Sequence, residues 1–439
     1  MKIALISEHA SPLAALGGCD SGGQNVYVGQ VASHLARRGH KVDVFTRRSR
    51  PDQLPIVPVE PNLRVLHVSA GPFEFIPKEQ LLPWMDEFGE RIATWCTPPE
   101  RRYDVIHANF FMSGLAARLV RQRLGTPYVI TFHALGKVRR HYQGDADGFP
   151  DARLAIEEEL VAGADRLIAE CPQDRDDLIN LYDADPARID IVPCGFDATE
   201  FSPGRRGLRR HLGLADDEFV ILQLGRLVPR KGVDNVIRAL AILRRKHGMR
   251  ARLLVVGGES AVPDPVQTPE IGRLGAIAEA EGVRDQVIFT GQRPRHLLRD
   301  FYCAADVFVT TPWYEPFGIT PLEAMACGCP VIGADIGGIK YSVVDSVTGF
   351  LVPPKDPAAL AERLAMLRLN PELGRAMGRA GLCRVRASFS WKQVAGQLLD
   401  IYATVQDERG SRHDRVVTAV GDIARPPRTA PAVSSGAAS

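Results

Sequence analysis

The sequence has no long apolar run and no excess of either charge. No window approaches the roughly 18 continuous apolar residues of a membrane-spanning helix, and the start, MKIALISEHASP, lacks the pattern of a cleaved signal peptide. Lys and Arg total 54 against 52 Asp and Glu, which argues against the basic field that nucleic-acid binding needs. We therefore expect a cytoplasmic protein with no transmembrane segment and no nucleic-acid partner. Peripheral membrane contact stays open.

The sequence also has few signs of disulfides or metal ligands. Its 8 cysteines form no CxxC pair and no secreted disulfide framework, so a reduced compartment is the simpler inference. Asp-x-Asp triplets at 145–147, 174–176 and 183–185 lie in loop or helix-start contexts, where aspartates commonly cap helices. For Cys327 and Cys329, at a predicted helix end, packing is the simpler interpretation. We predict no bound metal.

Short β-rich runs alternate with amphipathic helical stretches along almost the whole chain. This order is typical of βαβ units, and it predicts an α/β chain of two doubly wound, Rossmann-like domains facing a cleft. The pattern weakens through PCGFDATEFSPGRRG and restarts at EFVILQLGRL. Strands are predicted at 2–7, 41–46, 63–68, 103–108, 127–133, 165–169, 188–192, 219–224, 251–256, 286–290, 306–310 and 330–334.

These patterns divide the chain into five predicted parts. They are a first domain over 1–195, a linker over 196–217, a second domain over 218–387, a helix over 388–407 that packs back toward the first domain, and a disordered tail over 408–439. In doubly wound sheets, ligands bind beyond the carboxyl ends of the strands. We therefore look for chemistry in the loops that leave those ends.

A glycine-bearing loop, GGCDSGG at 17–23, follows the first predicted strand and precedes a predicted helix from Gln24 to Arg38. Glycines let backbone approach a ligand closely, and free N–H groups at a helix start can bind a phosphate, so Gly22 and Gly23 are candidate phosphate contacts. The spacing is not GxGxxG, and Thr-Arg-Arg stands at 46–48, where a nicotinamide enzyme would have an acidic residue. These departures argue against a nicotinamide cofactor.

Two further motifs follow predicted strands of the second domain. In GRLVPRKG, Arg226 and Lys231 are cations that could together neutralise a diphosphate. In PWYEPFGITPLEAMACG, Glu315 precedes a helix expected to start at about Pro321, and Glu323 lies in its first turn. Carboxylates accept hydrogen bonds from paired sugar or ribose hydroxyls, although isolated ones are as often a cap and a surface charge.

Three of these segments, GGCDSGGQNVYV, GRLVPRKG and the Glu315-to-Glu323 run with PFG between, resemble the retaining glycosyltransferases of family four over about residues 1–405. Within that family they resemble the branch that holds sucrose-phosphate synthase and the inositol-phosphate N-acetylglucosaminyltransferase of mycothiol synthesis. The resemblance implies the GT-B fold and a retaining transfer of a hexosyl unit from a UDP-linked nucleotide sugar. The implied acceptor is a small sugar, a sugar phosphate or a polyol phosphate, and no cofactor is required.

The resemblance also assigns roles to residues. It implies a catalytic group of His133, Arg226, Lys231 and Glu315. The implied donor-binding set is Gly22, Gly23, Arg226, Lys231, Arg293, Glu315, Phe317, Gly318, Ile319 and Glu323. Within that set, Glu323 would face the ribose hydroxyls, Glu315 the donated sugar and Arg293 the nucleotide.

The acceptor is expected on the first domain. Its candidate contacts are Asn25, Lys78, Lys137, Arg139, Arg140 and Arg153. The basic ones could bind a phosphorylated acceptor, but an ordinary solvated basic face explains them equally well. Phe110 and Ala134 stand where the inositol-phosphate enzyme has hydroxyl-bearing residues at its acceptor phosphate. A lipid-linked or polysaccharide acceptor, and a non-catalytic sugar-nucleotide-binding protein, stay open as alternatives, and the sequence does not indicate the oligomeric state.

Overall fold

The structure, a computed structural model, describes residues 1–14 and 22–423. Part of the predicted glycine loop, residues 17–21, therefore lies outside the described residues, whereas Gly22 and Gly23 are within them. Over the described part of the chain, two predominantly parallel β-sheets are found, each covered by helices on both faces. This agrees with the predicted pair of doubly wound, Rossmann-like units.

The first sheet is built by the amino-terminal half of the chain. Its strands are β1 (Lys2–Ile6), β2 (Lys41–Arg47), β3 (Ile56–Glu60), β4 (Leu63–Val68), β5 (Val105–Asn109), β6 (Tyr128–Thr131), β7 (Arg166–Ala169) and β8 (Ile189–Ile191). Its helices are α1 (Gly23–Arg37), α2 (Met85–Cys96), α3 (Phe111–Leu124), α4 (Gly136–Gln143), α5 (Ala152–Gly163) and α6 (Pro172–Tyr182). The strand order is β3-β4-β2-β1-β5-β6-β7-β8, and β3 pairs with β4 antiparallel whereas the other neighbours are parallel.

The second sheet follows with the order β11-β10-β9-β12-β13-β14, in which every neighbouring pair is parallel. Its strands are β9 (Val220–Leu224), β10 (Arg252–Val256), β11 (Val287–Gly291), β12 (Val307–Thr310), β13 (Val331–Ala334) and β14 (Gly349–Val352). Helices in this half are α7 (Leu208–His211), α8 (Val233–His247), α9 (Pro269–Ala280), α10 (Arg295–Ala304), α11 (Ile319–Ala326), α12 (Ile339–Ser342), α13 (Pro357–Leu369), α14 (Pro371–Ser388) and α15 (Trp391–Ile423).

The central strands are nearly continuous apolar runs because helices cover both faces of each sheet. In β1, KIALI, every residue after the first is buried, and all of VILQL in β9 is buried. The sequence predicted these strands because such runs are easily recognised. It missed β3 and β14. The exposed residues and Pro58 of β3, IVPVE, suit an antiparallel edge strand, and β14 is only 4 residues long.

The chain passes between the two halves twice at one place. Phe196 N–H donates to Phe389 O at 2.8 Å, and Trp391 N–H donates back to Phe196 O at 3.3 Å. Helix α15 then packs on the first domain, where Tyr402 OH lies 2.7 Å from His107 Nδ1 and the Trp391 ring lies 5.8 Å from that of Tyr27. The two crossings therefore tie the two domains together at this place.

The ends of two predicted segments differ from expectation. Helix α15 runs past position 407, where a tail was predicted, to Ile423, and 424–439 lie outside the described residues. The predicted linker over 196–217 contains α7, and its Arg209 is buried and donates to Asp306 Oδ2 at 2.7 Å and Ala304 O at 2.8 Å. The later part of that segment thus packs on the second domain. None of the helices in the described ranges has the length and apolarity needed to cross a bilayer.

Candidate active site

Two adjoining cavities lie between the carboxyl ends of the two sheets. The central cavity, of about 170 Å³, is lined by residues of both domains, including His133 from the first and Glu315 from the second. The second cavity, of about 200 Å³, includes Lys231 in its lining, and we call it the donor cavity because residues predicted to bind the donor line it. Both are bordered by Gly22, Gly23, Arg226, Glu315, Gly318 and Ile319. The predicted donor residues therefore meet in one continuous cleft.

The start of α1 lies directly across this cleft from the second domain. A Cβ on Gly22 would lie 3.6 Å from Arg226 Nε, and one on Gly23 would lie 3.7 Å from Ile319 Cδ1. Both glycines thus leave the cleft open to its opposite wall, and larger side chains there would fill it. The α1 start thus faces the Arg226 side chain, an arrangement that suits an anion bound between them.

Lys231 and Glu315 form an ion pair where the two cavities meet. Lys231 Nζ donates to Glu315 Oε2, and Arg230 Nη1 lies 3.7 Å from the same oxygen. Lys231 ends a short 3₁₀ turn after β9, and the next residue, Gly232, has φ +67°. A Cβ on Gly232 would lie 2.1 Å from Thr311 O, so only glycine lets this turn approach the loop after β12.

Burial and charge oppose each other at this pair. Burial lowers the pKa of Lys231 to about 8, with Arg230 and Arg226 acting in the same direction and Glu315 against them. Burial by itself would raise the pKa of Glu315, but the charges of Lys231 and Arg230 outweigh it and lower that pKa. At neutral pH both partners are therefore charged. Because the pKa of Lys231 is only slightly above neutral pH, the ammonium group loses its proton when the pH becomes mildly alkaline.

The loop from Glu315 to Gly318 is held by a second loop that the sequence analysis did not single out. Gly338 N–H donates to Pro316 O at 3.0 Å. Gly337 has φ +46°, and a Cβ there would lie 2.0 Å from Glu315 O, so the two backbones approach more closely than a side chain allows. Phe317 is buried, while Gly318 and Ile319 border both cavities. The glycine-containing ADIGG run at 334–338 is the sequence feature that could have indicated this second loop.

Glu323 borders the donor cavity but is already engaged. Its Oε1 lies 2.9 Å from Arg295 Nη1, and its Oε2 accepts from Tyr302 OH at 2.9 Å. Burial raises the pKa of Glu323, with Arg295 opposing it. Helix α11 begins at Ile319 rather than near Pro321, so Glu323 lies in its second turn and not in the first as predicted. Arg293 also borders this cavity, with Nη2 donating to Thr290 O at 2.6 Å.

His133 lies under the central cavity with both ring nitrogens occupied. Nδ1 is 3.0 Å from Glu170 Oε1, and Nε2 is 3.0 Å from Asn109 Oδ1. The Asn109 amide nitrogen donates to two backbone carbonyls, those of Ile6 and His107, so its oxygen faces His133 and Nε2 must donate. The backbone of His133 has φ +56°, a conformation uncommon outside glycine that turns the chain sharply after β6.

Several residues around the cleft were not identified from the sequence. They are His9, Asn109, Glu170, Arg230, Arg295 and Tyr302. Arg230 and Arg295 each lie one or two positions from a residue that was selected, Lys231 and Arg293, so the motif was recognised but the contacting side chain was not. Glu170 follows β7, another carboxyl end at the cleft, and this position was its only sequence signal.

Three of the predicted acceptor residues line the central cavity: Asn25, Lys78 and Arg139. Asn25 also fixes the start of α1, because Gly22 N–H donates to its Oδ1 and its Nδ2 donates to Ser11 O, both at 2.9 Å. Lys78 Nζ lies 3.4 Å from a Glu79 carboxylate oxygen. The first domain therefore contributes two cationic side chains, Lys78 and Arg139, to the cavity that His133 also lines.

The other three predicted acceptor residues are not in the lining of that cavity. Arg153 is buried, with Nε donating to Glu157 Oε1 at 2.7 Å, and supports the core beneath. Lys137 pairs with Glu158 at 2.6 Å, and Arg140 with Asp151 at 2.8 Å. Phe110 and Ala134, however, do border the cavity, so their apolar side chains face the region where an acceptor would lie.

The Asp-x-Asp triplets take part in local structure. Asp147 binds the Arg139 guanidinium, Asp174 Oδ2 accepts from Glu170 N–H at 2.9 Å, and Asp185 caps the Ala187 N–H at 2.9 Å. Across residues 1–14 and 22–423, no group of three or more His, Cys, Asp or Glu side chains is arranged to hold a metal ion.

Two doubly wound domains with a nucleotide-sized cleft between the carboxyl ends of their sheets are the GT-B architecture. Residues 205–382 match the family model described as glycosyl transferases group 1, and residues 22–195 match a glycosyl transferase 4-like domain. The structure is also similar to a solved sucrose-phosphate synthase from Thermosynechococcus elongatus, with a TM-score of 0.84, 33% identity, and 92% of this chain and 98% of that chain covered.

Sequence relatives cover nearly the whole chain. A D-inositol 3-phosphate glycosyltransferase of Actinosynnema mirum is 40% identical over 92% of this chain and 98% of its own length. One of Xylanimonas cellulosilytica is 38% identical over 94% and 98%. An Anabaena structure, HepE with UDP and glucose, shares the fold at 20% identity and a TM-score of 0.70, with 92% of this chain and 99% of that chain covered. The chain belongs to the GT-B glycosyltransferase family of these relatives, and it is a glycosyltransferase.

Proposed function

We propose that the protein transfers a hexosyl unit from a UDP-linked sugar to a small phosphorylated sugar or polyol, with retention of the anomeric configuration. The observation that supports this best is the cleft itself. Lys231, Arg226 and Glu315 of the second domain border the same continuous space as His133 and Arg139 of the first. A donor and an acceptor bound on the two sides would meet at that junction.

On the donor side, two cationic side chains lie where we expect negative charge to develop during the reaction. Breaking the bond between the sugar and the diphosphate builds charge on the departing phosphate, and fixed cations stabilise that transition state more than the ground state. Arg226 lies across from the start of α1, and Lys231 lies next to it beside Glu315. We expect the diphosphate to bind between the α1 start and these two side chains.

The sugar and ribose would each meet a carboxylate. When the diphosphate takes over Lys231, Glu315 is left to accept hydrogen bonds from the hydroxyls of the donated sugar, and the Phe317–Ile319 loop lies alongside. Glu323 borders the donor cavity beside Arg295 and would accept hydrogen bonds from the ribose hydroxyls. Arg293 lies at the same end, where the base would be expected.

For retention we propose same-face attack, a scheme in which the leaving phosphate takes the acceptor proton. The acceptor hydroxyl oxygen forms the new bond to the anomeric carbon as the bond from that carbon to the phosphate oxygen breaks, and the hydroxyl proton passes to that phosphate oxygen. No side-chain base is then needed. His133 suits this scheme, because Nε2 donates to Asn109 Oδ1 and Nδ1 lies 3.0 Å from Glu170 Oε1, so both ring nitrogens already have partners in the protein. Its ring instead borders the reacting centre.

Lys78 and Arg139 support a phosphorylated acceptor, since both line the central cavity on the first-domain side. The relatives named D-inositol 3-phosphate glycosyltransferases also support a polyol phosphate. Phe110 and Ala134, which border the cavity, have no hydroxyl group with which to bind an acceptor phosphate. A sugar phosphate is therefore a second candidate acceptor, to be compared directly with inositol phosphate.

The test is a transfer assay on a full matrix of substrates. UDP-glucose, UDP-N-acetylglucosamine and GDP-mannose are each combined with sugar phosphates, inositol phosphate, their dephosphorylated forms, a lipid-linked acceptor and a polysaccharide, and products are followed by mass spectrometry. We expect UDP release with a phosphorylated acceptor and one product per UDP. Transfer only to a lipid-linked or polysaccharide acceptor would overturn the acceptor assignment. Donor binding without transfer or hydrolysis for every donor would favour the non-catalytic alternative.

A further inference from the structure

Tyr314 directly precedes Glu315 and lines the central cavity from the second domain. The same lining includes Lys78 and Arg139 from the first domain, so the tyrosine shares this cavity with two cations. Tyr314 is only 9% exposed, and within residues 1–14 and 22–423 its hydroxyl has no hydrogen-bond partner. Buried tyrosine hydroxyls usually have one. The hydroxyl is therefore a candidate contact for a ligand in the central cavity.

The Tyr314 side chain and backbone are both held by neighbouring groups. The Tyr142 ring of α4 stacks on the Tyr314 ring, with centroids 5.6 Å apart and planes 18° from parallel. Arg230 Nη1 donates to Tyr314 O at 2.9 Å, and Trp313 N–H donates to Arg230 O at 3.1 Å. A side chain that is already held in place loses little conformational freedom when a ligand binds. Tyr314 is thus preorganised at the wall of the cavity.

The ring stack brings Tyr314 to the side of α4 that carries Arg139. Arg139 and Tyr142 are three positions apart, so they lie on one face of that helix. The Arg139 guanidinium is oriented by Asp147, to which Nε and Nη2 both donate. Burial raises the pKa of Tyr314, and nearby positive charges, that of Arg139 among them, oppose the rise. The hydroxyl therefore keeps its proton and is available as a donor beside a fixed cation.

We propose that Tyr314 binds the acceptor phosphate from the second domain, its hydroxyl donating to a phosphate oxygen that Lys78 and Arg139 bind from the first. This inference rests on the proposed function and adds a contact to its acceptor site. Phosphate oxygens only accept hydrogen bonds, and all three side chains donate them. Phe110 and Ala134 supply no hydroxyl on the first-domain wall, and Tyr314 supplies one from the other wall.

Binding of the phosphate by both domains makes Tyr314 a specificity-determining residue. An acceptor without a phosphate leaves the buried Tyr314 hydroxyl unpaired, and a site that leaves a polar group unpaired discriminates against such a substrate. Glu315, which we expect to contact the donated sugar, is the next residue along the chain. The phosphate contact therefore fixes the acceptor relative to the loop that holds the donor sugar, and so orients the attacking hydroxyl.

The test is Tyr314→Phe, which keeps the ring and its stack and removes only the hydroxyl. Inositol 3-phosphate and glucose 6-phosphate are compared with inositol and glucose in steady-state assays. We expect a roughly tenfold higher KM for the phosphorylated acceptor, the effect of one hydrogen bond to a charged group. The KM for the dephosphorylated form, the affinity for UDP and the thermal unfolding midpoint should not change.

Tyr142→Phe is the matched control, because it removes a hydroxyl from the other ring of the same stack, and Tyr142 is not in the lining of the central cavity. It should leave every one of these quantities at the parental value. An unchanged KM in Tyr314→Phe, an equal rise for both acceptor forms, or the same rise in Tyr142→Phe would overturn the proposal.

A binding measurement separates this inference from the proposed function. Inorganic phosphate is titrated by calorimetry into the full-length protein saturated with UDP, so that the donor site is already filled. We expect roughly tenfold weaker phosphate binding in Tyr314→Phe than in the parent. Equal affinity in the two, or no phosphate binding by the parent, would overturn the Tyr314 contact. Transfer to unphosphorylated acceptors alone would instead overturn the proposed acceptor class, while the phosphate titration still decides whether Tyr314 binds an anion.

Discussion

Lys231 and Glu315 hold each other in an ion pair at the junction of the two cleft cavities, with Arg230 Nη1 3.7 Å from the same carboxylate oxygen. The pair keeps two charges in place where neither could be buried alone. A diphosphate carries more negative charge than one carboxylate, so donor binding would draw Lys231 away from Glu315 and leave the carboxylate to the sugar hydroxyls.

We expect deprotonation of Lys231 to cause the fall of activity at alkaline pH, which forms the alkaline limb of the pH profile. Burial lowers its pKa to about 8, so as pH rises through that value the ammonium loses the charge that the diphosphate needs, and kcat/KM for the donor should fall. Unfolding would not explain the fall. A lysine pKa below the unfolded value of about 10.4 means that the unfolded state binds more protons between these values, so this group's contribution to stability rises with pH there.

The matched variant is Lys231→Arg, because the pKa of a guanidinium lies far above that of Lys231 and the group stays charged throughout this range. If it retains measurable activity, its kcat/KM should stay level through the range in which the parent declines. An unchanged alkaline limb in the variant would assign that limb to another group.

Glu323→Gln should weaken UDP binding roughly tenfold, because an amide is a poorer acceptor for ribose hydroxyls than a carboxylate. Glu200→Gln is the control. Glu200 Oε2 is 2.6 Å from Arg295 Nε, so its substitution also removes a partner of Arg295, but it is not among the residues that border the donor cavity. Calorimetry with UDP should separate the two variants. Equal losses in both would mean that Glu323 acts only by holding Arg295.

Glu170 should act as a positioning residue for His133. Glu170→Gln weakens the bond to Nδ1, and a misplaced ring at the reacting centre should lower kcat by roughly tenfold to a hundredfold with little change in the donor KM. Asp174→Asn is the control: burial and the Glu170 charge raise the pKa of Asp174 to about 8, so asparagine imitates its neutral form. A similar kcat loss in both variants would indicate a structural effect on the α6 start.

Two adjacent arginines distinguish an acceptor contact from a surface charge. Arg139 lines the central cavity, whereas Arg140 pairs with the exposed Asp151 outside its lining. Arg139→Gln should raise the KM for a phosphorylated acceptor roughly tenfold, the value of a hydrogen bond to a charged group, and leave that for its dephosphorylated form unchanged. Arg140→Gln should change neither. Steady-state kinetics with both acceptor forms decides, and equal effects on both forms would remove Arg139 from phosphate binding.

The sequence predicted the two-sheet fold because buried parallel strands are continuous apolar runs, as in β1 and β9. It predicted which loops meet at the cleft because glycine and charge motifs follow those strands. The sequence could not predict which of two nearby residues in a motif contacts a given side chain in the cleft. Arg295 rather than Arg293 reaches Glu323, since helix rotation decides this and motif order does not. The partnership of His133 with Glu170, 37 residues further along the chain, depended on tertiary packing, which no local pattern indicates.

The most direct test of the account is single-turnover cleavage of a pre-bound donor by Lys231→Met. Lys246→Met is the control, because Lys246 is an exposed lysine of the same domain that pairs with Glu362 at 2.5 Å. If Lys231 stabilises the departing diphosphate, the rate of sugar transfer in the Lys231 variant falls about 10²-fold or more while the donor still binds, and the control matches the parent. A Lys231→Met enzyme that transfers at the parental rate would contradict the account.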